Sequence, residues 1–395
     1  MPEHRWANYV ENGERSALRT AVADLASRYG HPYFVAKARA GEKTIELWEE
    51  AGKLGYLGVA VPKEYGGGGG GIGDLAAVCE ELATAGCPLL LMLVSPAICA
   101  TLITRFGTDQ QRECWLPGFA DGSVRMAFAI SEPDAGSNAH RLSTSVRKDG
   151  SGPRAGWVLS GRKHYVCGLD DVEAVLVVAR HVDANGQRLL PSLLVVPTWV
   201  PGFGLQPIDM QILSPERQFS CVFDDVRLPA DALVGAEDGG LAQLFAALNP
   251  ERIMAASLAT GLARYALRKA CDYATTRAAW DGPTDSDLGI AHPLAHCAVQ
   301  VELARLMTQK AAALYDAGTD RDAGEAANMG RYAAGDAVTA AVHQAIRVHG
   351  GNGMASEYGL ATLLDASRVA QIPPVSREMI LDFVAQHTLG LPRTY

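Results

Sequence analysis

Four stretches of this 395-residue chain carry residue types and spacings that do chemistry elsewhere. In LNPERIMAA, residues 248–256, Glu251 stands beside Arg252 at the front of an apolar run. A positioned carboxylate can serve as a general base. Local rules also offer a structural role: Asn249 as a helix N-cap, Pro250 at the first helical position, and Glu251 complementing the helix dipole. In SEPDAGSN, residues 131–138, turn formers surround small residues. Such a loop exposes backbone N–H groups suited to a flat polar ring or a phosphate, though a plain turn uses the same residues. Six consecutive glycines, 66–71, resemble a phosphate cradle, but Ile72-Gly73-Asp74 follows instead of Lys-Ser/Thr. With no βαβ unit around them, a flexible surface loop is expected. His292 and His296, in HPLAH, have metal-ligand spacing but no acidic or cysteine partner on that turn, so two structural histidines and no metal site are expected. There is no G-x-S-x-G elbow, and Ser137 has no assignable His/Asp partner.

The elements that must position these residues follow from composition and periodicity. The length implies two or three domains. Hydrophobic residues make up 48% and charged residues 20%, an ordinary globular balance, and the net charge of -9 argues against nucleic-acid binding. None of the eight cysteines forms a C-x-x-C pair. Buried free thiols in a reducing, cytoplasmic setting are expected, and the polar MPEHRWANYVENGERS does not read as a secretory signal. The uncharged run CPLLLMLVSPAICATLI, 87–103, is short for a membrane span and reads as a core helix broken by Pro96.

Residues 14–120 carry apolar positions at three- and four-residue spacing and predict helices. SVRMAFAIS, GWVLSGRKHYVCG, EAVLVVARHV, LLPSLLVVP and RQFSCVFDDVRLP are short, rich in β-branched and aromatic residues, and bounded by turn formers. They predict a run of strands forming a barrel or sandwich. From about residue 240 four helices are expected. One starts at Asn249 and is stopped by Asp281-Gly282-Pro283; the others are HPLAHCAVQVELARLMTQKAAALYDAG, EAANMGRYAAGDAVTAAVHQAIRVHG and VSREMILDFVAQHTLG. The expected domains are 1–122 helical, 123–232 β and 233–395 a helical bundle.

The motifs, taken in order, resemble the acyl-CoA dehydrogenase family. SEPDAGSN matches its T/S-E-P-x-A-G-S-D/N loop, with Thr144 following. LSGRKHYVC matches L-x-G-x-K-x-[WY]-[IV]-[TS], and FDDVRLP matches a strand end of the form F-x-x-V-x-x-P. Arg252, the Arg277-to-Trp280 segment and His349–Gly353 match the helical half, and VPKEYGG and FGTDQQRECWLP fit the N-terminal part. The resemblance covers nearly the whole chain. It implies an N-terminal α-helical domain, a middle antiparallel β-barrel and a C-terminal four-helix bundle, with FAD between barrel and bundle.

It also implies α,β-dehydrogenation of an acyl thioester. A carboxylate removes the α-proton and the β-hydrogen leaves as hydride to the flavin. An α-proton beside a thioester is only weakly acidic, so the base must be oriented and the enolate oxygen needs donors. Many members place the base in Q-I-Y-E-G-T near the C-terminus. Here the stretch is QIPPVS, 371–376, and the glutamate position is Pro374, which has neither a carboxylate nor an N–H. The N–H of Val375 is an alternative enolate donor. The branch that includes isovaleryl-CoA dehydrogenase has its base just before the helix arginine, in D-L-E-R. Here that reads N-P-E-R, which makes Glu251 the expected base, with Ser137, Asn249 and Arg252 as expected substrate contacts. Asp224, Asp225 and Glu378 fit turns or a helix start better.

The flavin contacts implied by the resemblance are Phe128, Ile130, Ser131, Gly136 and Ser137, then Tyr165, Val166 and Cys167, and further Arg277, Trp280, Arg347, Gly350, Gly351 and Ser376. Leu288 and Arg347 stand where relatives have glutamines of the cross-subunit site, and Cys167 replaces a hydroxyl with a poorer donor. Expected partners are acyl-CoA, an electron-transfer flavoprotein and further subunits of a homo- or heterotetramer. A thioester on an acyl-carrier protein, a catalytically silent subunit of a heteromeric enzyme, and a flavin monooxygenase of the same fold are the alternatives.

Overall fold

A computed structural model describes residues 11–150, 155–183, 188–237, 239–279, 282–283 and 288–392. The N-terminal part is helical: α1 (Gly13–Ser27), α2 (Gly30–Ala40), α3 (Ile45–Lys53), α4 (Ile72–Thr84), α5 (Leu91–Val94), α6 (Thr101–Phe106) and α7 (Asp109–Asp121). Their starts use side-chain caps. The Arg15 N–H donates to Asn12 Oδ1 at 2.9 Å, and Thr108 and Gln111 cap each other reciprocally at the start of α7. Pro96 does not break the 87–103 run. It falls in a π-helical turn, Ser95–Ala100, which carries α5 into α6. A π turn leaves room for a residue that cannot donate its backbone bond.

The glycine run is not a loose loop. The N–H groups of Gly68, Gly69 and Gly70 donate to the carbonyls of Gly58, Val61 and Val59 at 3.0, 2.9 and 2.9 Å. A Cβ at Gly67 would stand 2.2 Å from the Val61 carbonyl, so the close approach of the two backbone segments requires glycine. The loop ends at the start of α4, where Asp316 accepts from the Ile72 and Gly73 N–H groups at 2.7 and 3.0 Å.

The middle strands are β1 (Met126–Ala129), β2 (Ser145–Asp149), β3 (Gly156–Cys167), β4 (Ala174–Val182), β5 (Arg188–Pro197), β6 (Phe203–Ile208), β7 (Gln218–Leu228) and β8 (Leu233–Val234). Their order is β6-β7-β3-β2-β4-β5-β8, with β1 added to β4. The sheet is mixed rather than purely antiparallel, because both β1 and β2 run parallel to β4. Alternation sorts its faces. Ala127, Ala129, Val175 and Val177 pack with Phe219, Cys221 and Phe223 in the interior of the β domain. Met126, Phe128, Leu176 and Val178 pack outward with Ile98, Leu102 and Leu244 of the helices.

Three long helices form the C-terminal part: α8 (Gly240–Thr276), α9 (Leu288–Asp316) and α10 (Asp320–His349). Short α11 (Leu363–Val369) and α12 (Arg377–Phe383) follow, the latter running into a π turn at Val384–Thr388 in place of a fourth long helix. Glu251 is therefore mid-helix, eleven residues past the observed start of α8 at Gly240, and Asn249 and Pro250 do not begin a helix. The missing Pro250 N–H deprives the Ala246 carbonyl of its partner. Tyr315 of α9 replaces it, its hydroxyl donating to that carbonyl at 3.0 Å. Among the described residues, no helix is long and apolar enough to cross a membrane.

Candidate active site

Where helices, sheet and bundle meet, a mainly apolar cavity opens. Its walls include Phe34 and Leu93 of the N-terminal helices, Ile212–Ser214 of the β domain, and Glu251, Arg331 and Pro374 of the C-terminal part. Glu251 and Pro374, the two alternative positions for a base, thus face one space. Glu251, Ala255 and Leu258 reach it together because residues three and four apart share a helix face.

The Glu251 carboxylate has no hydrogen bond among the described residues. Burial in apolar surroundings pushes its pKa up to about 7, against the pull of Arg252 and Arg331. Glu216 is also raised to about 7 by burial, but its two oxygens hold the Leu90 and Leu91 N–H groups at 2.7 and 3.0 Å. Of this pair, Glu251 lines the cavity and Glu216 does not.

Asn249 and Arg252 serve the frame behind Glu251. Asn249 Nδ2 donates to the Asp320 carbonyl at 2.9 Å, and its Oδ1 accepts from Arg252 at 3.1 Å. Neither is part of the cavity wall. Arg331, which sequence reasoning missed, is. It is 2% exposed and donates to the carbonyls of Ala370 and Pro373, holding the Pro374 segment against Glu251. Its one signal in the sequence is a lone arginine among small residues in MGRYAAG. Asp224 and Asp225 lie within β7 rather than in a turn, and Glu378 lies in the first turn of α12.

The SEPDAGSN loop is stapled by a pair that sequence reasoning also missed. Lys163, fully buried on β3, reaches Glu132 at 2.9 Å and the Ile130 carbonyl at 2.8 Å. Glu132 further accepts from the Ser143 N–H at 2.6 Å and the Thr144 N–H at 3.0 Å. Burial alone would raise Glu132, but Lys163 and Ser143 outweigh it and hold the carboxyl at about 2. The His164 N–H donates to the Ser131 carbonyl at 2.8 Å, so loop and strand move together.

Beyond that staple, Tyr165 sits at φ 57°, left-handed for a non-glycine residue, and leaves its ring 59% exposed beside the loop. Gly136 and Ser137 are exposed, and Ile130 and Ser131 half-buried. An exposed aromatic, an open run of backbone and a hydroxyl fit a flat, polar-edged ring. Val166 does not join them through its side chain, which is buried inside the β domain. Cys167 is half-buried. Phe128 packs in the cluster that contains Leu244 and Ala247 of α8, fixing the loop relative to Glu251.

At the far end of the bundle, Arg277 closes α8, its N–H donating to the Tyr273 carbonyl at 2.8 Å. Tyr273 also stacks on His349 at 4.0 Å and accepts from Asn352 at 3.0 Å. Arg277 and the exposed Gly350–Gly351 turn are thereby gathered, with Arg347 exposed one turn before it. Trp280 lies outside the described residues. Ser376 caps α12, its Oγ accepting from the Met379 N–H at 3.3 Å. His292 and His296 are exposed on α9 rather than packed as structural histidines, and among the described residues no third ligand joins them.

Three sequence models match: acyl-CoA dehydrogenase N-terminal domain over residues 12–123, middle domain over 127–226 and C-terminal domain over 238–389. Acyl-CoA dehydrogenase FadE12 of Mycobacterium tuberculosis is 57% identical over 388 residues, covering 98% of this chain and 99% of that protein. The structure of butyryl-CoA dehydrogenase from Megasphaera elsdenii superposes with a TM-score of 0.90 at 25% identity, covering 97% of this chain and all of that one. Glutaryl-CoA dehydrogenase from Mycobacterium smegmatis, solved in complex with FADH2, gives a TM-score of 0.88 at 25% identity over 98% of this chain and 96% of that one.

Proposed function

This chain belongs to the acyl-CoA dehydrogenase family, and from that premise we propose that Glu251 is the base that removes the α-proton of its acyl-CoA substrate. The protein is an FAD-dependent acyl-CoA dehydrogenase. When bound, FAD supplies the acceptor for the β-hydride. The observation that carries the Glu251 assignment is a carboxylate without hydrogen bonds among the described residues, its pKa raised to about 7 in a mainly apolar cavity that Pro374 also lines. This supports the branch of the family whose base stands on the bundle helix.

Each group has a role in this reading. The apolar walls exclude water, keep Glu251 basic enough to take the proton, and hold the acyl chain. Ser131–Ser137 and Tyr165 hold the flavin ring. Arg277, Arg347, Gly350 and Gly351 hold the cofactor's phosphate end from a neighbouring subunit, with the Arg347 guanidinium suited to phosphate oxygens. The enolate oxygen takes the Val375 N–H, which has no acceptor among the described residues. Support for a neighbouring subunit comes from α9, where Leu288, Val299, Leu303 and Leu306 are 65, 56, 55 and 39% exposed. A tetramer, with an electron-transfer flavoprotein as acceptor, completes the reading.

Glu251→Gln tests it. The variant is expected to purify with bound flavin yet lose anaerobic bleaching by acyl-CoA, by about 10²- to 10⁴-fold in rate. Bleaching at the wild-type rate would overturn the assignment.

A further inference from the structure

The cavity continues well beyond Glu251, and its course can be measured along α8. Glu251, Ala255 and Leu258 line it, and so does His31 of α2. Leu258 is seven residues from Glu251, about 10 Å along the helix axis. His31 packs on Tyr265 of the same helix, ring centroids 5.2 Å apart, and Tyr265 does not itself line the cavity. Tyr265 is fourteen residues from Glu251, about 21 Å along the axis. The cavity wall therefore reaches roughly 10 to 20 Å from the base along α8.

The polar wall residues are the neighbours Glu251 and Arg331, the bonded pair His31 and Thr362, and Ser214; the other lining side chains are apolar. His31 is 5% exposed, and both ring nitrogens are engaged. Nδ1 meets the Gly86 carbonyl at 3.0 Å, and Nε2 meets Thr362 Oγ1 at 3.0 Å. Burial lowers its pKa, so it presents no cation to a charged chain end. Phe34, Leu90, Leu93, Leu258 and Val369 of the wall offer no partner to a polar substituent. An extended chain advances roughly 1.2 Å per bond, a third of the reach of one residue, so this length takes about eight to sixteen bonds.

We infer that the substrate is a long, unsubstituted fatty acyl-CoA, whose hydrocarbon chain lies along the Ala255–Leu258 face of α8 and ends against the His31–Thr362 pair. Resting on the reading above, this adds the substrate class and the residues that set chain length. A short acyl group would leave most of the apolar wall unfilled. Each buried methylene contributes about 0.8 kcal/mol, so affinity is expected to climb with chain length until His31 is reached.

The test is anaerobic flavin reduction of the purified holoprotein by straight-chain acyl-CoAs from butyryl to stearoyl. The rate constant per unit substrate is expected to rise from butyryl and peak between decanoyl and palmitoyl. Leu258→Trp, which fills the cavity midway, should move the optimum to shorter chains and lower the palmitoyl-to-butyryl ratio at least tenfold. If that variant loses its flavin, Leu258→Phe makes the same comparison. A wild-type optimum at butyryl, or an unchanged ratio in a flavin-loaded variant, overturns the inference. Absence of reduction by every chain length would instead overturn the reading of Glu251 as base.

Discussion

As the proposed base, Glu251 carries two conflicting demands, and its surroundings balance them. To accept a weakly acidic α-proton it must lose water; to be deprotonated near neutrality it must keep some positive charge nearby. Burial raises it to about 7, while Arg252 and Arg331 restrain the rise. The base is the deprotonated form, so kcat/KM for acyl-CoA should increase about tenfold per pH unit below about 7 and level off above it. A pH profile that is flat from 5 to 8 would contradict this. Arg331→Met removes one of the restraining charges, so the rising limb should move to higher pH; a limb that stays in place would mean Arg331 acts only through the Ala370 and Pro373 carbonyls. The raised pKa also has a cost in stability. Between the ordinary carboxylate value of 4.5 and about 7, the unfolded chain releases a proton that the folded chain keeps, so stability falls as pH rises through that window. Glu251→Gln abolishes the loss, and its Tm should exceed that of the wild type at pH 8 but not at pH 4. In the sequence, Glu251 was legible only by pairing its presence with the proline at 374. Its local dress, Asn249 and Pro250, pointed to a helix start, and that was misleading.

At the scale of elements, Pro250 shows why. A proline inside a helix normally costs about 3 kcal/mol, which makes a boundary the natural expectation. Here the Tyr315 hydroxyl takes over the Ala246 carbonyl at 3.0 Å, so α8 continues through. That partner is 69 residues from Ala246 in sequence, and no local rule reveals it. A double-mutant cycle is expected to expose it. Tyr315→Phe should destabilise by about 1–3 kcal/mol by leaving a buried carbonyl unpaired. The same change in a Pro250→Ala background should do less, because residue 250 then donates to Ala246 itself. Equal effects in both backgrounds, measured by denaturant unfolding, would show that the hydroxyl does not replace the helix bond. The sheet teaches a similar lesson. β3, β4, β5 and β7 were legible from their β-branched runs, whereas β6 (FGLQPI, mostly exposed at the sheet edge) and β2 (SVRKD, largely polar) lack that pattern. The Glu132–Lys163 pair was invisible for a related reason. Each residue sits in a readable motif, but only the fold brings residues 31 positions apart to 2.9 Å.

For the whole molecule, the order helices, sheet, bundle was legible from the change of period along the chain, but the cavity at their junction was not. It draws walls from Phe34, Leu213 and Glu251, and no sequence window contains more than one of these. The same scale decides what lies outside the single chain. Along α9, Leu288, Val299, Leu303 and Leu306 mark one face over eighteen residues, about 27 Å. Exposed aliphatic side chains in such a line seek a partner. Nearby, Arg277, Arg347 and the Gly350–Gly351 turn stand exposed at the end of the bundle. Both observations are met if a second copy covers α9 and brings those groups to the first copy's flavin. Leu303→Glu, which sets a charge in the middle of the line, is then expected to lower the mass of the particle in solution. It should weaken FAD retention at the same time, though residue 303 lies on neither flavin loop. Light scattering and flavin absorbance on the same sample make the check. A smaller particle that keeps its full flavin would separate assembly from cofactor binding and place the phosphate contacts within one chain.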